Sequence, residues 1–129
     1  MIFLFLLEIP ILLFIYSQWE RNQLRVTKYS IFSEKVKKAH RFVFITDLHE
    51  KEFGKDNQIL LKKIEALKPE WIFIGGDLPI SYSGEESTER DQVENSCHLL
   101  YALAEKYPLY YAFGNHEEKH FSKKDWQGK

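Results

Sequence analysis

Length, composition and charge limit this protein to one modest domain. The chain has 129 residues, of which 44% are apolar, enough for one hydrophobic core and too few for two ordinary domains. A formal net charge of −1 without a long basic run gives no electrostatic support for nucleic-acid binding. The single cysteine, Cys97, excludes an internal disulfide.

The N-terminal segment is almost wholly aliphatic and aromatic from Ile2 to Tyr16, with Glu8 and Pro10 as the only interruptions. Trp19 follows, where an interfacial ring would lie. A membrane-spanning helix needs about 20 apolar residues, so this run is at the short limit, and Glu8 would be costly in hydrocarbon. We expect a membrane anchor over residues 1–19. The alternative is a buried hydrophobic helix or strand of a globular domain.

The charges around this segment predict its processing and its orientation. No Lys or Arg precedes the apolar run and the first alanine is Ala39, so a cleaved signal peptide is disfavoured. Arg21, Arg25 and Lys28 all lie on the C-terminal flank. By the positive-inside tendency, we expect a single-pass membrane protein whose soluble part lies in the cytoplasm.

A soluble α/β pattern begins after the predicted anchor. Residues 20–40 form a juxtamembrane segment in which Leu24–Phe32 alternates loosely, as a half-exposed strand does. Residues Arg41–Thr46 are a continuous apolar run, which is typical of a strand buried on both faces. The helical spacing of apolar residues over Asn57–Leu67, followed by Pro69, predicts a helix.

The same alternation continues towards the C-terminus. Residues Trp71–Asp77 and Tyr110–Asn115 are predicted strands, and Gln92–Tyr107 has a helical apolar stripe. The polar segment Ser81–Asp91 is predicted to be a loop. The order strand, helix, strand, helix, strand predicts a largely parallel sheet covered by helices.

Each predicted buried strand ends in residues that bind metals or move protons. Asp47 and His49 follow the first of these strands, Asp77 ends the second, and Asn115 and His116 end the third. Since ligands bind beyond the carboxyl ends of parallel strands, we expect these groups to converge. Carboxylate with imidazole suits divalent Mn, Fe, Zn or Mg. The alternative is that the strand ends carry only short polar turn formers.

These clusters, Asp47-Leu48-His49, Gly76-Asp77 and Gly114-Asn115-His116-Glu117, resemble the first three motifs of the calcineurin-like metallophosphoesterase superfamily. The N-terminal segment also resembles the membrane-bound branch that includes relatives of UDP-diacylglucosamine pyrophosphatases. The resemblance implies an α/β fold in which a β-sandwich is flanked by helices (αββα). Residues 41–129 would be the N-terminal part of that domain.

The resemblance also implies roles for five residues. Asp47 and His49 would bind the first of two divalent metal ions, Asp77 would bridge both ions, and Asn115 would bind the second. His116 would lie beside the scissile phosphate as the catalytic residue. The implied activity is hydrolysis of phosphoester or pyrophosphate bonds by a water activated between the metals. A phosphorylated small molecule or a lipid-linked phosphate is the expected substrate.

Several features depart from the family pattern. Family members typically carry two further histidine motifs downstream, which this sequence does not supply. An incomplete, non-catalytic phosphoesterase-like module is therefore the alternative function. Ser81 stands where many relatives have an acidic residue, which we interpret as a loop change of little consequence. Glu50 and Glu117 are most simply interpreted as exposed charges.

Overall fold

The structure, a computed structural model, describes residues 2–81 and 92–123. The chain divides into two compact units, Met1–Phe32 and Ser33–Lys129. Apart from Ser81, the predicted polar loop lies outside the described residues.

The first unit contains one helix, α1, over Ile2–Arg21. Its apolar side chains between Ile9 and Tyr16 are exposed. Within the residues that the structure describes, no helix combines the length and the apolar character that crossing a membrane requires. The prediction of a membrane-spanning anchor over residues 1–19 is therefore not supported. Gln18, Glu20 and Arg21 lie in the last turn of α1, so its apolar part is shorter than the helix.

The segment after α1 has no regular structure. The strand predicted over Leu24–Phe32 is absent, and Phe42 begins the first strand of the chain instead. Tyr29, Ile31 and Phe32 are 87%, 87% and 94% exposed. Loose alternation was a misleading signal here because a strand needs a partner strand to satisfy its backbone hydrogen bonds.

The second unit contains the predicted α/β elements. Its strands are β1 (Phe42–Ile45), β2 (Trp71–Ile74) and β3 (Leu109–Tyr111), and its helices are α2 (Gln58–Leu67), α3 (Glu94–Ala104) and α4 (Asn115–Lys123). The strands pair in parallel in the order β1-β2-β3. The predicted parallel sheet with helical connections is therefore confirmed.

The end of the third strand differs from the prediction. β3 ends at Tyr111, and Asn115 begins α4 rather than closing the strand. Gly114 lies at the helix start and Glu117 follows three positions later, which is the spacing of a capping box. This local helix-start signal outweighs the apolar character of the preceding run.

One face of the sheet forms the core. Ile72 and Ile74 of β2 are buried, as is Ile45 of β1. The helices contribute buried residues at helical spacing: Leu60 and Ile64 from α2, and Leu99 and Leu103 from α3. The predicted periodicity located both helices but matched their buried faces only in part, since Leu60, Ile64 and Leu103 are buried whereas Ile59 and Cys97 are exposed.

The opposite face of the sheet is aromatic and partly open. The Phe42 ring packs edge-on against Phe73 at 5.2 Å, and Phe73 stacks on Tyr110 at 5.1 Å between ring centroids. Phe42 and Phe44 are nevertheless 51% and 61% exposed. The prediction that the strand within Arg41–Thr46 is buried on both faces is therefore wrong. The described residues form one three-stranded sheet, and no second sheet packs on its aromatic face.

Candidate functional site

The ends of β1 and β2 are joined beyond the last paired residues of the strands. The N–H of Asp47 donates to the carbonyl of Gly76 (3.1 Å), and the N–H of His49 donates to the carbonyl of Asp77 (3.2 Å). The N–H of Glu50 continues the series to the carbonyl of Leu78 at 2.7 Å. The first two motifs therefore lie side by side at the carboxyl edge of the sheet, as the parallel topology predicted.

The third motif joins the same edge through Asp77. The N–H of His116 donates to Oδ1 of Asp77 at 2.8 Å. Gly76 has φ 89, and a Cβ there would collide with the backbone of Gly114. A Cβ on Gly114 would lie 2.5 Å from Asp77 Oδ1. Both positions require glycine because the second and third motifs touch through their backbones.

Three of the predicted site residues have left-handed backbone conformations. Asp47, His49 and Asp77 have φ values of 56°, 48° and 53°. Such conformations are uncommon outside glycine, although Asp and His adopt them more readily than most residues. Strained conformations of this kind cluster at active sites, where the surrounding structure fixes them. Asp56, Asn57 and Lys68 have similar φ values away from this edge, so a left-handed backbone alone does not mark the site.

Asp47 and His49 form the open side of the site. Nε2 of His49 lies 3.8 Å from Oδ1 of Asp47, and these side chains are 43% and 60% exposed. The hydroxyl of Thr46 donates to the other oxygen, Asp47 Oδ2, at 2.7 Å. An anionic oxygen and an imidazole nitrogen are thus presented together to solvent.

His116 is held by the backbone of Ser81, four positions after the second motif. Its Nδ1 lies 2.9 Å from the N–H nitrogen and 3.0 Å from the carbonyl oxygen of Ser81, which is buried. The imidazole ring packs edge-on against His49 with 4.8 Å between centroids. In the described part of the chain, Nε2 of His116 has no hydrogen-bond partner. Ser81 therefore matters more than the sequence suggested, since its backbone orients His116.

Asn115 is the least integrated of the five predicted residues. It is exposed at the first position of α4, between Gly114 and His116. Across residues 2–81 and 92–123, no hydrogen bond joins its side chain to the other four. The structure thus brings Asp47, His49, Asp77 and His116 to one edge and leaves Asn115 beside them.

A metal centre is only partly formed by these groups. Among the residues that the structure describes, no group of three or more His, Cys, Asp or Glu side chains is placed to hold a metal ion. The donor chemistry fits, since Asp47 and His49 offer the oxygen and imidazole ligands that Mn, Fe, Zn and Mg accept. The assignment of Asp47, His49, Asp77 and Asn115 as metal ligands stays a prediction.

Glu117 is a site residue that the sequence interpretation missed. It is only 2% exposed, so its interpretation as an exposed charge is wrong. Its Oε2 accepts the N–H groups of Asp77 (2.9 Å) and Gly114 (3.0 Å). Its Oε1 accepts the N–H of Leu78 (3.1 Å) and the hydroxyl of Tyr111 (2.5 Å). The capping-box spacing from Gly114 was the signal that could have revealed it.

The contacts of Glu117 fix its charge state. Burial alone would raise the pKa of this carboxyl, but hydrogen bonds from the Tyr111 hydroxyl and from backbone N–H groups outweigh burial and hold the pKa below its usual value. Burial, followed by the hydrogen bond to Glu117, raises the pKa of the Tyr111 hydroxyl. Tyr111 therefore stays the donor and Glu117 the charged acceptor.

Glu50 has a similar role on the other side of the site. Its carboxylate accepts the N–H groups of Asn95 and Ser96, both at 2.9 Å, at the start of α3. The N-cap residue of α3, Val93, supplies no side-chain cap, so Glu50 satisfies these donors from a distant segment. Glu50 is half-buried, so its interpretation as an exposed charge is also wrong.

Fold and site together define a class of protein: an α/β domain that collects carboxylate and imidazole groups beyond the ends of its parallel strands. The chain belongs to the calcineurin-like phosphoesterase family, whose family model matches residues 40–129. This membership confirms the resemblance at the level of the superfamily and makes the chain a member of a family of phosphoester-bond hydrolases. No curated protein and no solved structure matches the chain.

Proposed function

We propose that this protein is a metal-dependent hydrolase of phosphoester or pyrophosphate bonds, with its reaction centre at the carboxyl edge of the sheet. The observation that carries the proposal is the meeting of three motifs within a family match over residues 40–129. Asp77 is the point of contact, since its carbonyl accepts from His49 and its Oδ1 accepts from His116.

The proposed metal ligands are the four residues that the motifs supply. Asp47 and His49 would hold one divalent cation, Asp77 would be shared, and Asn115 would contribute to a second cation. Bound divalent cations would supply Lewis-acid chemistry and a reactive water. The exposed Asp47–His49 pair supports this assignment. Among the described residues, neither side chain forms an ion pair with Lys or Arg that would compete with a cation.

His116 is the proposed proton donor. When its imidazole is protonated, Nδ1–H can donate to the carbonyl of Ser81, which leaves Nε2–H for the substrate. In the proposed reaction, a water oxygen forms a bond to phosphorus, this water releases one proton to solvent, and the bond from phosphorus to the leaving oxygen breaks. His116 Nε2 gives its proton to that leaving oxygen. Its ring orientation, fixed by Ser81, supports this role because general acids must be aligned before reaction.

We propose a substrate class and a location from the chemistry of the site and from the N-terminal helix. A phosphorylated small molecule or a lipid-linked phosphate fits the chemistry equally, and the resemblance to the membrane-bound branch favours the lipid-linked case. Exposed apolar side chains of α1, with Arg21 and Arg25 after them, support association of this helix with a membrane surface, and we propose the cytoplasmic side as the location. Flotation with anionic phosphatidylglycerol vesicles, compared between wild type and a Leu12→Asp/Phe14→Asp variant, tests this part. Equal recovery of both proteins in the vesicle fraction would contradict it.

The activity is tested by removing one charge at the point of contact. Asp77→Asn keeps an oxygen that can accept from His116 but loses the anionic metal ligand, so Mn²⁺-dependent hydrolysis of bis(4-nitrophenyl) phosphate should fall about 100-fold or more. Asp56→Asn is the matched control, because Asp56 also has φ 53° and lies outside the site.

The control should retain the wild-type rate. If Asp77→Asn also retains it, the catalytic proposal fails. A chain with no Mn²⁺-dependent activity and no Mn²⁺ binding would fit the alternative of a non-catalytic module.

A further inference from the structure

Glu117 is a buried carboxylate whose hydrogen-bond partners carry no positive charge. Its donors are the backbone N–H groups of Asp77, Leu78 and Gly114 and the hydroxyl of Tyr111. Burying an anion is costly unless hydrogen bonds compensate for lost water. Four neutral donors directed at one carboxylate provide that compensation, and they come from separate parts of the chain.

The two oxygens of Glu117 connect the segments that carry the second and third motifs. Oε2 joins the backbone after β2, at Asp77, to the backbone before α4, at Gly114. Oε1 joins Leu78 to the end of β3 through Tyr111. The Glu117 side chain therefore holds both backbone segments that meet at the Gly76–Gly114 contact.

Asp77 is held from two directions by neighbouring residues of α4. Glu117 binds its backbone N–H, and the N–H of His116 binds its carboxylate oxygen Oδ1 at 2.8 Å. Because His116 and Glu117 are consecutive in the first turn of α4, a shift of Glu117 would displace both contacts. The left-handed backbone of Asp77 needs such external support.

We propose that Glu117 is a positioning residue that sets the orientation of the Asp77 carboxylate for cation binding. This inference rests on the proposed function, since it assumes that Asp77 is a metal ligand. Glu117 touches neither substrate nor cation in this proposal. It acts through Asp77, and the hydroxyl of Tyr111 in turn orients the Glu117 carboxylate.

The donor pattern predicts a graded series of variants. In Glu117→Gln, the amide oxygen can keep the Asp77 and Gly114 donors while the new NH₂ group faces Leu78 N–H and Tyr111. The Tyr111 hydroxyl can reverse and accept, but the Leu78 N–H cannot, so one bond is lost and one N–H opposes another. Tyr111→Phe removes only the hydroxyl donor and leaves the three backbone bonds in place.

Cation binding is the readout that tests the inference. Titration with Mn²⁺ by calorimetry should show affinity about 10- to 100-fold weaker in Glu117→Gln than in wild type, with a smaller loss in Tyr111→Phe. The visible absorption of bound Co²⁺ should change in Glu117→Gln, because that spectrum reports the arrangement of the ligands. A purely structural role would lower the unfolding temperature without changing the spectrum of the folded protein.

Two controls separate positioning from stability. Glu70→Gln is matched in chemistry, since the Glu70 carboxylate also accepts a backbone N–H, from Arg41, and contacts a side chain, His40, at the opposite end of the sheet. Ile64→Val lowers stability from the core without touching the site. Both controls should bind Mn²⁺ and Co²⁺ as wild type does.

The outcomes distinguish this inference from the proposed function. If wild type binds Mn²⁺ and Glu117→Gln binds it with equal affinity and an unchanged Co²⁺ spectrum, the positioning role is overturned and the proposed function stands. If wild type binds neither cation, both fail. If Glu117→Gln does not fold, Tyr111→Phe decides, and wild-type affinity with an unchanged Co²⁺ spectrum in that variant overturns the role.

Discussion

The loop that carries Asp47 and His49 faces solvent, whereas the segments that carry Asp77 and His116 are tied together around the buried Glu117 carboxylate. On the open side, Asp47 is 60% exposed and its carboxylate accepts from the Thr46 hydroxyl. On the side of Asp77 and His116, which we call the braced side, Asp77 is fixed by hydrogen bonds to both its N–H and its Oδ1. The fold itself therefore holds Asp77 and His116 in place, whereas the side chains of Asp47 and His49 stay accessible to a ligand.

This contrast has a thermodynamic meaning. Groups that the fold already holds in place lose little freedom when a ligand binds, while exposed side chains such as Asp47 and His49 must be ordered by the ligand. The braced side should therefore govern the stability of the domain, and the open side should govern its response to cations. Substitutions on the two sides should separate these properties.

The largest effect is expected from Glu117→Ala. The change leaves three backbone N–H groups buried without an acceptor, so the free energy of unfolding should fall by at least about 3 kcal/mol. Urea unfolding followed by circular dichroism measures it. Asp47→Asn, on the open side, keeps a residue that tolerates the left-handed backbone and should change the same quantity by less than about 0.5 kcal/mol. Similar losses in the two variants would remove the distinction between the sides.

A smaller but still large effect is expected where the second and third motifs touch. Gly76→Ala places a methyl group against the backbone of Gly114 at φ 89 and should lower the free energy of unfolding by about 2 kcal/mol or more. Gly54→Ala is the matched control, since Gly54 also has positive φ, 75, but its added methyl would meet the flexible side chain of Ile59.

Gly54→Ala should therefore cost clearly less than Gly76→Ala in the same thermal or urea unfolding experiment. A larger loss in Gly54→Ala would show that the backbone contact between Gly76 and Gly114 is not tight.

An intermediate effect is expected for Glu50→Ala. The variant leaves the first turn of α3 without its acceptor, and loss of a helix cap costs about 1 kcal/mol. Hydrogen exchange should become faster at the N–H groups of Asn95 and Ser96, which Glu50 binds in the wild type. Exchange at Asp77 should be unaffected, because that N–H depends on Glu117. Faster exchange at all three amides would mean that the two sides are not held independently.

The smallest and most specific effect is a pH dependence. Because the pKa of Glu117 is lower in the folded protein than its ordinary value of 4.5, its contribution to stability is fully present above that value and is lost as pH falls through the folded pKa. Unfolding free energies measured below about pH 5 should fall less steeply in Glu117→Gln than in wild type. Parallel curves would indicate that the folded and unfolded pKa values of Glu117 are equal.

Much of the fold could be predicted because its signals are local. The helical spacing of Leu60 and Ile64 predicted α2, and the apolar run before Gly75 predicted β2. The alternation around Tyr29 misled because a strand depends on a partner that the segment does not contain. Asn115 was assigned to a strand because the apolar run before it was weighed above the capping-box spacing of Gly114 and Glu117.

The candidate site could likewise be predicted only in part. The meeting of Asp47, Asp77 and His116 could be predicted, since parallel topology brings strand ends together. The burial of Glu117 had one local signal, its capping-box spacing from Gly114, but its other contacts and those of Glu50 could not be predicted, because their donors lie far away in the sequence. Glu117 accepts from Asp77, 40 positions earlier, and Glu50 accepts from Ser96, 46 positions later. Both glutamates were predicted to be exposed because they are charged. The fold supplies the hydrogen-bond donors that allow a carboxylate to be buried.

The link between Glu50 and the first turn of α3 offers a natural place for an optical reporter. Cys97 is the only cysteine of the chain, is exposed, and directly follows Ser96, whose N–H Glu50 binds. A maleimide dye would therefore attach at one defined place without further mutation. Its emission would follow rearrangements of the His49–Glu50 loop as cations are added.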